Sequence, residues 1–379
     1  MIVSAYPPDR GRLSEYAAAL IGALTEKFKV EVEVLSDSPP SAGEALNVVP
    51  VWKPDSVVSV FKLWFSMFKM KGEVVHFNLH LAVFGRGRLV NFLGLMTPAV
   101  ARVAGKKVVV TLHNIPDMIG LESVGFGGSL LNRLGLLLAV KMVVKFSHRV
   151  VVTMKSYVKI LGERYGADNV VYIPHGCWFT AAKPTWRWRG GGNILFLGHL
   201  APYKDLDSLC EAVRRLSSNR NVKLLVSAGA HPNFYSESLK LLDHIRRLPH
   251  VRYLGPVPDE RLPELAETVD LAVLPYKTNT GTSGVLHLLS GLGIPTVASD
   301  TPEFRELMSE GAGIVLTSLD ITSLSSVIER VSEDRMMAES LSKRAVEFAH
   351  SRSWTRVAEK YVKLYENLAD NSMAKTFSV

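Results

Sequence analysis

Short apolar runs rich in valine, isoleucine and leucine alternate with helix-patterned stretches along this chain, and the whole alternation occurs twice. In the first half the runs Ile2–Ala5, Val30–Leu35, Val74–Phe77, Lys107–Leu112, Arg149–Thr153 and Val170–Ile173 are spaced by stretches of helical periodicity, notably Leu13–Lys27, Leu89–Val103, Leu130–Phe146 and Lys155–Tyr165. Strands that are apolar throughout are buried on both faces, and strands joined by helical crossovers run parallel. The second half repeats the pattern. Its expected strands are Asn193–Leu197, Lys223–Ala228, Val251–Leu254, Leu271–Leu274, Thr296–Ser299 and Gly313–Leu316. Its expected helices are Leu206–Leu216, Ser236–Leu248, Asp259–Thr268 and Ser323–Val331. Between the halves, residues 177–192 lack periodicity, and Lys183-Pro184 and Arg189-Gly190-Gly191-Gly192 mark a linker. Met337–Ala349 and Trp354–Leu368 read as helices, with fraying expected from Asn371. A chain of 379 residues holds two such α/β domains comfortably.

Two segments of the second half carry chemistry. The strand Ile194–Leu197 runs into Gly198, and a short loop then brings Lys204 to a helix opened by Asp205 and Asp207. A glycine at a strand's end, one lysine and the unpaired N–H groups of a helix start form a place for phosphate. About 80 residues later Leu274-Pro275-Tyr276 ends another strand. Thr280-Gly281-Thr282-Ser283-Gly284 follows, and then a helical run from Val285 to Leu292. Gly281 and Gly284 allow close backbone approach, and Thr282 and Ser283 add hydroxyls. Two such loops at one crevice would grip a diphosphate.

These residues carry a resemblance. Phe196-Leu197-Gly198, Pro202-Tyr203-Lys204, Leu274-Pro275-Tyr276, Ser283-Gly284-Val285-Leu286 and Gly293-Ile294-Pro295-Thr296-Val297-Ala298-Ser299-Asp300 stand in the order found in the family 4 retaining glycosyltransferases. The chain resembles a variant of that family with Pro-Tyr-Lys and Ser-Gly-Val-Leu loops. Tyr6-Pro7-Pro8 with Gly11, Val108–His113 with Asn114, Ile173-Pro174-His175-Gly176 and Ser353-Trp354 extend the likeness over nearly the whole chain.

The resemblance implies the GT-B fold: two Rossmann-like domains with parallel sheets facing a central cleft, and a carboxyl-terminal helix crossing back to the first. The domains implied are residues 1–180 for the acceptor, 190–352 for the nucleotide sugar, and 353–379 as crossover helix and tail. It implies a retaining, metal-independent hexosyltransferase. Such an enzyme moves a sugar from a nucleoside-diphosphate sugar to a hydroxyl acceptor, glycan or lipid-linked, with no cofactor beyond the donor. Lys204 and His113 are the implied catalytic residues. Gly198, His199, Thr280, Gly281, Thr282, Ser283, Gly284 and Gly255 are placed on the donor side, and Gly11 and Arg12 on the acceptor or phosphate side. His199 replaces the family's frequent arginine, and Arg12 replaces a glycine. Counting back from Gly293, the two glutamates of the commonest pattern fall at Thr280 and Leu288, neither of them acidic. Two other readings stay open: a non-catalytic nucleotide-sugar-binding subunit, and another GT-B enzyme such as a sugar-nucleotide epimerase.

Several polar groups have plainer readings. His76, Asn78 and His80 alternate at a strand end without a carboxylate or cysteine, and are expected to line a cleft rather than bind metal. Asp205 and Asp207 open a helix, where aspartates cap N–H groups. Glu303 and Glu306 follow Asp300 within reach of a nucleotide or sugar.

The net charge of +8 sits wholly in residues 1–185, with 21 Lys+Arg against 13 Asp+Glu, while residues 186–379 carry 23 of each. Such asymmetry points to an anionic partner. No nucleic-acid-binding signature accompanies it. The stretch Lys62–Lys71 mixes lysines with Trp64, Phe65 and Phe68, as a helix lying in a lipid interface would; the plainer alternative packs Trp64 and Phe68 on the sheet. Two cysteines make no disulfide framework. The expected location is cytoplasmic, peripheral at the inner face of the membrane.

Overall fold

The computed structural model describes residues 1–8, 11–40, 46–118, 130–180, 183–218, 220–279, 281–316 and 318–376; the side chains of Arg12, Leu131 and residues 371–376 lie outside the description. The chain forms two compact units. One comprises Met1–Gly176, Thr280–Thr282 and Trp354–Val379, the other Cys177–Asn279 and Ser283–Ser353.

The first unit runs β1 (Ile2–Val3), α1 (Arg12–Phe28), β2 (Glu33–Ser36), β3 (Asn47–Pro50), α2 (Val57–Lys69), β4 (Val74–Leu79), α3 (Arg88–Leu95), α4 (Thr97–Val103), β5 (Lys107–Leu112), α5 (Leu130–Phe146), β6 (Arg149–Val152), α6 (Lys155–Tyr165) and β7 (Val170–Tyr172). Its seven strands stand in the order β3-β2-β1-β4-β5-β6-β7, every pair parallel. Strand order reverses between β1 and β4, the switch point at which open α/β sheets offer a crevice. β3 escapes the sequence reading because this edge strand is half polar and ends in proline. The single helix expected over Leu89–Val103 is two. Pro98, the second residue of α4, has no N–H to give the carbonyl four residues back, so the ladder breaks at Met96.

The second unit runs β8 (Asn193–Leu200), α7 (Leu206–Ser217), β9 (Lys223–Ala230), α8 (Tyr235–Ile245), β10 (Val251–Tyr253), α9 (Leu262–Ala266), β11 (Leu271–Leu274), α10 (Gly284–Leu292), β12 (Thr296–Ser299), α11 (Pro302–Leu307), β13 (Ile314–Leu316), α12 (Ile321–Glu333) and α13 (Arg335–Ser351). The six strands, again all parallel, stand in the order β10-β9-β8-β11-β12-β13, with the switch point between β8 and β11. The helix expected over Asp259–Thr268 is a single 3-10 turn followed by the short α9. All nine residues of α10 are buried, which explains why it lacks a polar stripe.

The last helix, α14 (Trp354–Thr376), belongs to the first unit and continues past Asn371, where fraying was expected. Its Val357, Ala358 and Tyr361 share one core with Tyr16, Leu20, Ile21 and Leu24 of α1 and with Ile2, Val34, Val109 and Val151 of the sheet. Among the described residues no helix is long and apolar enough to cross a membrane.

Candidate functional site

In the second unit β8 runs further than its apolar pattern, so that Gly198 and His199 still lie in the strand, paired with Ala228 and Gly229 of β9. Gly198 adopts φ +130°, a conformation that disfavours any side chain. The space beside it is taken: a β-carbon there would stand 3.1 Å from Lys204 Nζ, 3.4 Å from Val285 Cγ2 and 3.8 Å from the Tyr276 hydroxyl. Lys204 ends a one-turn 3-10 helix, Pro202–Lys204, that folds its side chain back over the strand end. Its ammonium lies 4.9 Å from the centre of the Tyr276 ring, and the residue is buried. A buried ammonium over an aromatic face is held by the ring quadrupole and presents a little-hydrated charge. Lys204 follows β8 and Tyr276 follows β11, so the charge stands at the carboxyl ends of the two switch-point strands. The start of α10 is joined to this group through Val285; Ser283 caps that helix by accepting from Leu286 N at 3.3 Å. First-turn N–H groups have no partner inside a helix and suit an anion.

The loops are tied to one another. Lys277 N donates to the Tyr203 carbonyl at 2.7 Å, and Lys277 Nζ pairs with Asp205 Oδ1 at 2.9 Å. Asp205 has φ +42° and accepts from Ser208 Oγ at 3.0 Å. This corrects the expectation that Asp205 caps the helix by its side chain: no such bond forms, and the carboxylate holds Lys277 instead. His199 is half-buried and meets the ring of His231 edge to face at 5.8 Å. His231 was missed in the sequence because it lies just beyond the apolar part of β9. Burial, with His199 and Lys204 nearby, pushes its pKa down to about 4. Gly255, at φ +75°, turns the chain after β10. Glu303 is buried at the start of α11, whereas Glu306 is half-buried. Leu288 is fully buried within α10.

In the first unit His113 follows β5. Its Nε2 lies 2.5 Å from Asn78 Oδ1. Asn78 Nδ2 donates to Ser4 Oγ at 2.9 Å and to the Leu13 carbonyl at 3.2 Å, which fixes the amide and turns its oxygen toward the ring. His113 therefore carries its proton on Nε2 and its lone pair on Nδ1. Burial, then the neighbouring His175, His80 and His76, hold its pKa well below the usual histidine value, so the ring stays neutral. Tyr16 meets it edge to face at 4.5 Å. The arrangement offers an uncharged acceptor nitrogen on a ring held by the buried Asn78 amide. Gly11, extended at φ −158°, is the N-cap of α1 and donates its N–H to Ser14 Oγ at 3.1 Å. The Arg12 side chain and Thr280 lie outside the described residues. Gly281, at φ +129°, and Thr282 belong to this unit, while Ser283 and Gly284 belong to the other.

The expectation that His76 and Asn78 line a cleft is corrected: both are buried. His76 Nδ1 meets the Tyr365 hydroxyl at 2.7 Å, and its Nε2 meets Thr111 Oγ1 at 2.7 Å. Thr111 continues to the Tyr361 hydroxyl at 2.6 Å, and that hydroxyl to Tyr16 at 3.0 Å. These hydroxyls fasten α14 to the sheet. The period-two spacing of His76 and Asn78 was visible; alternate strand residues share a face, and this face points inward. Phe68, one alternative for packing on the sheet, is exposed, while Trp64 is half-buried and donates to Thr97 Oγ1 at 3.1 Å. Among the described residues no group of three or more His, Cys, Asp or Glu is arranged to hold a metal.

Residues 191–334 match the family described as glycosyl transferases group 1. O-antigen chain mannosyltransferase B of Escherichia coli is 25% identical over 217 residues, 54% of this chain and 56% of that protein. A phosphatidyl-myo-inositol mannosyltransferase of Mycolicibacterium smegmatis is 25% identical over 185 residues, 48% of this chain and 46% of that protein. The matches thus span about half the length of these curated relatives. Sucrose-phosphate synthase from Thermosynechococcus elongatus superposes with a TM-score of 0.76 at 16% identity, covering 98% of both chains. The HepE protein of Anabaena, solved in complex with UDP-glucose, gives 0.71 at 16% identity, covering 97% of this chain and 98% of that one. At these identities the structural likeness establishes the fold.

Proposed function

For a GT-B protein carrying a glycosyl transferases group 1 domain over residues 191–334, we propose sugar transfer from a nucleoside-diphosphate sugar to a hydroxyl acceptor with retention at the anomeric carbon. One observation carries the reading: the buried Lys204 ammonium beside Gly198, at the carboxyl ends of the switch-point strands. In the reaction the bond from the anomeric carbon to the donor phosphate breaks, and a bond to the acceptor oxygen forms on the same face. The acceptor proton passes to the departing diphosphate. Charge gathers on that leaving group, and a preorganised cation in a low-dielectric site stabilises it more than water would. Lys204 supplies the charge, and the start of α10 with Ser283 supplies further donors. No protein nucleophile is required, which suits a chain with leucine and threonine at the two positions that hold glutamates in the commonest family pattern.

We take His113 to accept a hydrogen bond from a donor-sugar hydroxyl at Nδ1 and so orient the ring. Because Asp205 is ion-paired to Lys277 while Asp207 is exposed, the proposed reaction relies on Lys204 rather than a divalent ion. The relatives named as mannosyltransferases make a hexose the proposed sugar and mannose the first to try. The proposed acceptor is a glycan or lipid-linked hydroxyl, met at the inner face of a membrane. The test is release of nucleoside diphosphate from UDP-, GDP- and ADP-sugars in the presence of a lipid and glycan extract. Release from one donor, lost in Lys204→Ala, is expected. Intact nucleotide binding without release would favour a binding subunit, the reading that Leu288 inside α10 supports.

A further inference from the structure

We propose that the layer formed by α2, α3, α4 and α5 is a docking surface for an anionic lipid bilayer. Along α2, Ser59, Val60, Leu63 and Met67 are buried, as one face of a helix on a sheet should be. Yet Val58, Phe61, Phe65 and Phe68 are 68%, 51%, 60% and 57% exposed. At 3.6 residues per turn these four fall in one stripe about 80° wide, roughly opposite the buried one. The helix is thus apolar on two faces and covered on one. On α5 the exposed Leu130, Leu134 and Leu138 form a second stripe at four-residue spacing, which Lys141 and Lys145 continue. Of the twelve large apolar side chains exposed among the described residues, nine lie on these four helices. An apolar concentration of this kind marks an interaction site.

Charge decides the occupant. The four helices carry seven basic residues and no acidic one. Lys69 Nζ lies 4.4 Å over the Phe65 ring, so cation and aromatic ring present together. A second copy of this chain would bring seven like charges against seven, and lysine is depleted from protein interfaces. A bilayer of anionic lipids satisfies both features: rings enter the acyl boundary, and ammonium groups remain among the phosphates. These helices fill the crossovers from β3 through β6, and crossovers leading the same way across a parallel sheet lie on one face. The proposal rests on the functional reading only for its purpose, bringing lipid-linked acceptor within reach. The docking itself is tested without donor or acceptor.

The experiment is flotation of the full chain with vesicles of phosphatidylcholine alone and of phosphatidylcholine with about one-third phosphatidylglycerol. Flotation with the anionic vesicles only, weakened by added salt, is expected. The exposed triple change Phe61→Ser, Phe65→Ser, Phe68→Ser should cut partitioning at least tenfold with the thermal unfolding midpoint unchanged. Lys62→Glu with Lys69→Glu should do the same while leaving the rings in place. Absence of flotation, or flotation of both variants equal to that of the unaltered protein, would overturn the proposal. So would a wild-type dimer that the phenylalanine changes convert to monomer.

Discussion

His76 ties acid stability to the last helix of the chain. The ring is 1% exposed between the Tyr365 and Thr111 hydroxyls. Burial, with a smaller contribution from the amino terminus, pushes its pKa down to about 3 from the ordinary histidine value of 6.5. Below pH 6.5 the unfolded chain takes up a proton that the folded chain refuses until about pH 3. The folded state is therefore fully stable in this respect above pH 6.5 and loses stability as the pH falls through that window, at ~1.4 kcal/mol per pH unit. At pH 5 the loss from this one group is about 2 kcal/mol. His76→Gln keeps an amide able to meet one hydroxyl but removes the titration. At pH 8 the variant should be less stable by about 1–3 kcal/mol, from the bond it cannot make. Between pH 6.5 and 5 its stability should fall less steeply, so that the gap narrows by about 2 kcal/mol. Urea unfolding across this range, with the first unit's transition resolved separately, measures it. Parallel curves for the two proteins would refute the argument.

Lys204→Ala should lower kcat/KM by about 2–4 kcal/mol, roughly 30- to 1,000-fold, and weaken nucleoside-diphosphate binding less, as titration calorimetry would read. Gly198→Ala should reproduce much of this loss with the lysine still present, since φ +130° strains any side chain and the ammonium 3.1 Å from the new β-carbon must shift to admit it. Asn78→Asp sets a carboxylate against His113 Nε2 and raises the ring's pKa; the acidic limb of the rate profile should then move to higher pH. Gly291→Val drives a side chain into the Trp178 carbonyl and should cost more than ~2 kcal/mol, lowering the second unit's thermal midpoint by several degrees.

Continuous apolar runs spaced by helical stretches made most of both sheets legible, because a parallel strand buried on two faces is predominantly apolar. β5, β11 and β12 fall on the residues their apolar runs indicate. β3 and α11 were missed for opposite reasons: one is a half-polar edge strand, the other a proline-led helix of six residues that shows no period. At the site, Lys204 and Gly198 were visible as a spacing. That they touch was not, since it depends on the 3-10 turn at Pro202. Tyr276 was legible as the end of a strand at the same crevice, though not as the ring under Lys204, and His231 left no trace in the spacing. The spacing of His76 and Asn78 does not reveal that they are buried, because a histidine neutralised by burial looks in sequence like any other.

The hydrogen bond between the Tyr16 and Tyr361 hydroxyls joins residues 345 positions apart. A ribosome adding about 5–20 residues per second takes roughly 17–70 seconds to make the second partner after the first. Until then Leu20, Ile21 and Leu24 of α1 lack the side chains of α14 that share their core. Synthesis thus imposes a sequence: the second unit can close once its own last helix, α13, has arrived, while the first is covered only when α14 follows. A nascent chain halted before Trp354 would lack the helix that covers this face of α1.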